Sequence, residues 1–276
     1  MITKYPSVAA MVADFVAHTS GDCRGIRGAG PTWFGGETRE DSIRLAQQGN
    51  TNLVPEAEAL LSELDVAIET PRRVWDRSPA GAYASVPDVL AGLPTPMRRQ
   101  VYVADDRAPI TILSCLTISA GVSTSIIRRR GITILALAMA LSRIRPISLN
   151  VLTVTDGLRD NTGENVIMAE INTKPLDLAT ACHALTSAGF VRRITYCIAD
   201  LKNGFGGGWP KDYAYGRPDR DGGTYFDRLI PRLGLDPAYT LIIPAAEYND
   251  PMLNDAVGWI KAQITRFAPE HEDAFA

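Results

Sequence analysis

The chain has 276 residues, 46% of them apolar and 21% charged, and its 28 basic against 31 acidic side chains leave a formal net charge of −3. That composition excludes a disordered chain and a fibre, and the length suits one large domain, or a core domain with an appendage, able to bury a substantial core. A weakly acidic balance argues against a general nucleic-acid binder, which needs an excess of cations to neutralise phosphates.

The basic residues are unevenly chosen: 23 of the 28 are Arg, grouped at Arg72-Arg73, Arg98-Arg99, Arg128 to Arg130 and Arg192-Arg193. The start has no basic n-region and carries Asp14 inside its apolar stretch, so it does not read as a secretory signal and a cytoplasmic protein is expected. The longest apolar run, Gly131 to Leu141, is far short of the roughly 20 residues that cross a membrane, so no membrane partner is expected. Cys23, Cys115, Cys182 and Cys197 are scattered without a C-x-x-C pair and read as buried thiols, while His18, His183 and His271 are equally isolated. No zinc site and no cofactor follow from such spacing.

In chain order, Ile2 to His18 has apolar residues at helical spacing and ends at Ser20-Gly21. A glycine-rich loop, residues 21 to 36, precedes a helix that Thr38 and Asp41 can cap and that runs through Gln48. Pro55 to Ile68 predicts a further helix and Ser85 to Gly92 a short one, closed before Pro94 and Pro96. From Arg99 the pattern changes to alternating strands and helices. Strands are predicted at Gln100 to Ala104 and Ile110 to Ser119, paired as a hairpin. A helix follows from Ser123 or Thr124 to about Arg143, then a second hairpin of Ile147 to Thr155 with Asn165 to Asn172. A helix from Lys174-Pro175 to Ala188, a strand at Arg193 to Ala199, a long Gly-rich loop from Lys202 to Thr224, a helix at Tyr225 to Ile230, a strand at Tyr239 to Ile243 and a helix from Leu253 to Phe267 complete the chain. The expected organisation is therefore a helical N-terminal extension, residues 1–98, packed on an α/β core, residues 99–276.

From Ile110 this order of elements resembles the von Willebrand factor A domain, a doubly wound, Rossmann-like, mostly parallel sheet with one antiparallel hairpin strand. The resemblance implies a divalent-cation site at the strand ends, of which only a vestige stands here: Ser119 in place of the leading carboxylate, Ser123, Thr173, and Asp200 in Ala199-Asp200-Leu201. One carboxylate among hydroxyls is a thin shell for a hard cation, so a retained metal is not expected. The chain is also similar to a family of uncharacterised tailed-phage proteins that share W-x-G-G, here Trp33, Gly35 and Gly36, and R-G-x-x-I-x-A-L, here Arg130, Gly131, Ile134, Ala136 and Leu137. That resemblance implies no activity.

No G-x-S-x-G, H-E-x-x-H or P-loop appears, and Asp105, Asp106, Asp156, Asp200 and Glu247 are single carboxylates near predicted strand ends, where Asp commonly forms turns. The expectation is a non-catalytic accessory protein. Its partner-binding surface would combine Phe205, Trp209, Tyr213 and Tyr215 of the long loop with Arg128, Arg129 and Arg130 at the strand-end edge. The alternatives are a single-stranded nucleic-acid-binding factor, using Arg clusters and stacking aromatics, and a metal-dependent enzyme.

Overall fold

Short runs rich in Val, Ile and Thr form the strands of this computed structural model, which describes residues 2–23, 26, 28–64, 73–102, 107–155, 165–203, 224–246 and 250–267. In chain order they are β1 (Ile2–Tyr5), β2 (Arg73–Ser78), β3 (Tyr83–Ala84), β4 (Met97–Tyr102), β5 (Ile110–Cys115), β6 (Ile147–Thr155), β7 (Asn165–Ile171) and β8 (Thr240–Ile243). The helices are α1 (Val8–His18), α2 (Arg39–Gln48), α3 (Val54–Ser62), α4 (Val86–Leu90), α5 (Thr124–Ile144), α6 (Leu178–Thr186), α7 (Tyr196–Asn203), α8 (Thr224–Arg232), α9 (Pro251–Asn254) and α10 (Ala256–Phe267). A π-helical stretch, Phe190–Thr195, runs into α7.

The main sheet has the spatial order β1-β7-β6-β5-β8, and every neighbouring pair is parallel except β6 with β7. Because side chains alternate along a strand, the sheet has two apolar faces. Ile112, Leu149, Val151 and Ala169 join the large cluster beneath α1, α5, α6 and α7, whereas Leu113, Cys115, Leu152 and Val154 pack with Phe226, Leu229 and Leu233 at α8. Helices therefore cover both faces, the layering expected of a mixed α/β chain.

Helix α5 occupies the centre. Ser123 caps it, its Oγ accepting from the Ile126 N–H at 3.3 Å. Every residue from Arg130 to Leu141 is buried, as suits a helix that is apolar all round. One side faces the sheet; α3, α6 and α10 meet the others. Burying Leu135 or Leu137 contributes roughly 1.5–3 kcal/mol each. Gly131 marks the closest approach: a Cβ there would run into the backbone carbonyl of Leu185 on α6.

A second, antiparallel sheet of order β2-β4-β3 carries α4 and forms a lobe of its own. Its anchor is Asp88, buried between Arg77 and Arg98 at 3.1 Å each. Among the described residues, neither main apolar cluster takes a side chain from this lobe.

Several expectations are corrected. The predicted helix over Ile2 to His18 divides at Tyr5 into β1 and α1, with Ser7 capping the helix, because Ile2 to Tyr5 is extended beside β7. The hairpin expected between residues 100 and 119 does not form, since β4 belongs to the small sheet and β5 to the large one. Arg193 to Ala199 is helical rather than a strand: both faces of this segment are buried, and a continuous apolar run does not by itself distinguish a core strand from a core helix. The strand β2 has no counterpart among the predicted elements. The helix after Thr173 begins at Leu178, and the last predicted helix divides into α9 and α10.

Candidate functional site

The segment leaving β5 crosses the carboxyl edge of the sheet as Leu116 to Ser123 and is held there by its backbone. The Leu116 N–H donates to the Leu152 carbonyl at 2.7 Å, and Thr117 Oγ1 accepts from the Val154 N–H at 2.6 Å, standing in for a ladder bond beyond the end of β5. Three carbonyls of this segment, those of Ile118, Ala120 and Val122, then meet side chains brought from distant parts of the chain. The Tyr196 hydroxyl donates to Ile118 at 2.5 Å and the Trp33 indole N–H to Ala120 at 2.9 Å. Arg192 donates to the carbonyls of Val122 and Trp33 and lies 3.5 Å from that of Ala120, while its guanidinium stacks 4.4 Å from the Trp33 ring centroid.

Local sequence accounts for this clamp. Trp33 sits in a short 3-10 turn, Pro31–Phe34, that ends on Gly35 and Gly36, both at positive φ (71° and 85°), where a side chain would be strained. The turn leads through Glu37 to Thr38, whose hydroxyl and Asp41 form a reciprocal capping box on α2. Arg192 is only 1% exposed. Its burial pulls the guanidinium below the ordinary arginine range, and the neighbouring Tyr196 opposes that shift; burial in turn raises the Tyr196 hydroxyl. A buried cation without a carboxylate is tolerable here because carbonyl oxygens and an aromatic face replace water.

The adjacent Arg193 lies over the Phe34 ring at 3.7 Å and donates to Asp22 Oδ2 at 2.5 Å. Glu37, held above the usual carboxylate range by burial, accepts from the hydroxyls of Ser187 at 2.6 Å and Ser42 at 2.9 Å.

Arg128, Arg129 and Arg130 stand on the same edge, and each reaches a different element. Arg128 pairs with Glu56 of α3, Arg129 donates to the Leu253 carbonyl of α9 at 2.9 Å, and the buried Arg130 grips Asp250 and the Pro244 carbonyl. These partners explain why three cations are accepted in the first turns of a helix, where the dipole opposes them.

Of the four positions suggested by the cation-site resemblance, Ser119 and Ser123 share the carboxyl edge of β5. Ser119 Oγ accepts from Gly121 at 3.4 Å, and Ser123 is the helix cap. Thr173 lies at the opposite edge, its hydroxyl donating to the Ile147 carbonyl at the start of β6 at 2.7 Å, because β7 runs antiparallel to β6. Asp200 is on α7. No group of three His, Cys, Asp or Glu side chains spaced for a metal occurs among the described residues. Phe205, Trp209, Tyr213 and Tyr215, like Asp105, Asp106, Asp156 and Glu247, lie outside the described residues.

The small lobe presents a surface that motif reasoning missed. Trp75 and Tyr83 form an edge-to-face pair with ring centroids 4.8 Å apart, and Val86, Val89, Leu90 and Leu93 are exposed with them, Leu90 to 82%. Large apolar side chains this exposed, concentrated in one small lobe, make it a candidate binding surface. The available signal was the run V-P-D-V-L-A-G-L, which has apolar residues on more of its circumference than a short helix can bury.

His183 of α6 is buried edge-on against Phe190, ring centroids 5.8 Å apart. Burial lowers its pKa from 6.5 to about 4, the Ser42 backbone acting against that shift and Arg44 adding a smaller push in the same direction as burial. Above pH 6.5 the ring is neutral in both the folded and unfolded states and has no effect. Below that, the unfolded chain binds a proton that the folded chain refuses, so stability falls until the folded pKa is reached, by about 3 kcal/mol in all. Urea unfolding of wild type and His183→Phe between pH 7 and 4.5 should give a shallower dependence in the variant; parallel curves would refute this assignment.

No helix among the described residues is long and apolar enough to cross a membrane. Comparison with curated proteins and with solved structures returns no match. Residues 1–265 match the family model described as Domain of unknown function (DUF7192), and the chain belongs to that family.

Proposed function

We propose that this is a non-catalytic accessory protein, of the tailed-phage type that its W-x-G-G and R-G-x-x-I-x-A-L segments resemble, which acts in the cytoplasm by binding another protein. Its scaffold is a divergent relative of the von Willebrand A fold. The observation that carries this reading is the exposure of Trp75, Tyr83, Val86, Val89, Leu90 and Leu93 on the small lobe, whose aromatic and aliphatic content suits a protein-binding hot spot. The glycine- and aromatic-rich segment with Phe205, Trp209, Tyr213 and Tyr215, and the strand-end surface beside Arg128 to Arg130, extend the same role.

Two features favour protein over nucleic acid as the partner. The net charge is −3. Several of the arginines that could have contributed to a phosphate-binding stripe are paired with carboxylates of the chain, Arg77 and Arg98 with Asp88, Arg128 with Glu56, Arg130 with Asp250 and Arg193 with Asp22. At the strand end, Trp33, Arg192 and Tyr196 donate to backbone carbonyls, which supports a holding role rather than a chemical one.

Affinity capture from host lysate, with quantitative mass spectrometry, tests the reading. Trp75→Ala combined with Leu90→Ser should reduce retention of a specific partner at least about tenfold, since hot-spot aromatics commonly contribute 2 kcal/mol or more, while the melting temperature stays unchanged. Deleting Gly204 to Gly222 should act in the same direction if the loop shares the interface. Undiminished capture by the lobe variant would refute its role, and salt-sensitive binding of a labelled single-stranded oligonucleotide would favour the nucleic-acid alternative.

A further inference from the structure

Two of the four cysteines meet across the fold. The backbone N–H of Cys23, in the loop after α1, donates to Cys197 Sγ in the first turn of α7 at 3.1 Å. The Cys23 sulfur is three bonds from that same amide nitrogen, so rotation about its χ1 sweeps it through the neighbourhood of Cys197. Cys23 is partly exposed, which admits a small oxidant, whereas Cys197 is buried. The loop is also secured by Asp22, whose carboxylate accepts from Arg193 at 2.5 Å, keeping Cys23 close to the helix that carries Cys197.

The other two cysteines are Cys115 and Cys182. Both are buried, and burial raises both thiols above the ordinary range, leaving little nucleophilic thiolate.

We propose that Cys23 and Cys197 form a redox-sensitive pair that closes to a disulfide when a hydroperoxide oxidises the loop thiol. In the first step the Cys23 sulfur attacks the peroxide, the O–O bond breaks, and Cys23 becomes a sulfenic acid while the peroxide is reduced to water, or to an alcohol if it is organic. In the second step the Cys197 sulfur displaces hydroxide from the Cys23 sulfur, an S–S bond forms, and the released hydroxide takes up the Cys197 proton as water. Two thiols have then lost two electrons to one peroxide. The product fastens the loop after α1 to α7, and a thiol reductant reverses it.

The test uses the whole chain treated with one equivalent of hydrogen peroxide, alkylated, digested without reduction and analysed by mass spectrometry. The expected product is a peptide containing Cys23 joined to one containing Cys197, lighter by two hydrogens than the separate peptides, with Cys115 and Cys182 alkylated only after unfolding. The oxidised protein should melt about 5 °C or more above the reduced form, since the bridge closes a long loop. Cys197→Ser should divert Cys23 to higher oxides. Sulfinic acid on Cys23 in the wild type, or a Cys23 cross-link between two copies, would overturn the proposal.

Discussion

Arg192→Ala is expected to lower the melting temperature by about 10 °C, the largest effect of any single truncation on the strand-end face. The substitution withdraws the donors to the Trp33 and Val122 carbonyls and the cation stacked on the Trp33 ring, in a site that is 1% exposed. Each stranded carbonyl costs about 1–3 kcal/mol, and the lost packing adds to that, so a total near 4 kcal/mol is the working figure. For a chain of this size about 1 kcal/mol corresponds to roughly 2–4 °C. Arg192→Lys should recover less than half of the loss, because one ammonium lacks the planar fork that spans two carbonyls while stacking on a ring. The near-ultraviolet circular dichroism from Trp33 and Tyr196 should change in parallel. A shift below about 2 °C for Arg192→Ala would show that the loop holds without its clamp.

Gly131→Ala should also be destabilising, although it adds only one methyl group. In a helix interior alanine is normally favoured over glycine by about 1 kcal/mol. Here the new Cβ meets the Leu185 carbonyl carbon and oxygen and the Thr186 Cα, all backbone of α6, so no side chain can rotate aside. Relief requires α5 and α6 to separate, which loosens the packing that buries Ile134, Leu135 and Leu185 together. Overpacking of this kind costs about 1–3 kcal/mol, and more where both walls are backbone, so the propensity gain is outweighed. A denaturant midpoint that rises, or stays within error of wild type, would show that the helices have room to part.

The parts of the fold legible in the sequence were those fixed by local chemistry. The capped α5, the β6–β7 hairpin and the Thr38–Asp41 capping box follow from side-chain periodicity and cap residues within a few positions of each other. The elements misread or missed depend on distant partners. Ile2 to Tyr5 carries a short apolar pattern compatible with a helix, and only β7, far along the chain, draws it into a sheet. Arg193 to Ala199 has a strand-like composition, but Arg192 must reach Trp33 and Val122 while Tyr196 reaches Ile118, and a helical path presents both to the same loop. The arginine doublets were visible as clusters, and their partners were not. Glu56, Asp22 and the carbonyls of Leu253 and Pro244 are ordinary residues in sequence and become ligands only once folding brings them into place.

Placing β1 at the outer position of the main sheet has a consequence for the order of assembly. Its ladder pairs Ile2 with Val166 and Tyr5 with Ala169, so β1 has no template until β7 has left the ribosome. Pairings so far apart in sequence form slowly and leave the waiting partner exposed. Until then the open flank of β7 is available to any extended peptide, including β1 from a neighbouring chain, and exchange of that strand between two nascent molecules is the characteristic misassembly for this topology. A rigid tag fused directly ahead of Ile2 would delay the closing step further, whereas a flexible spacer would leave the strand free to dock.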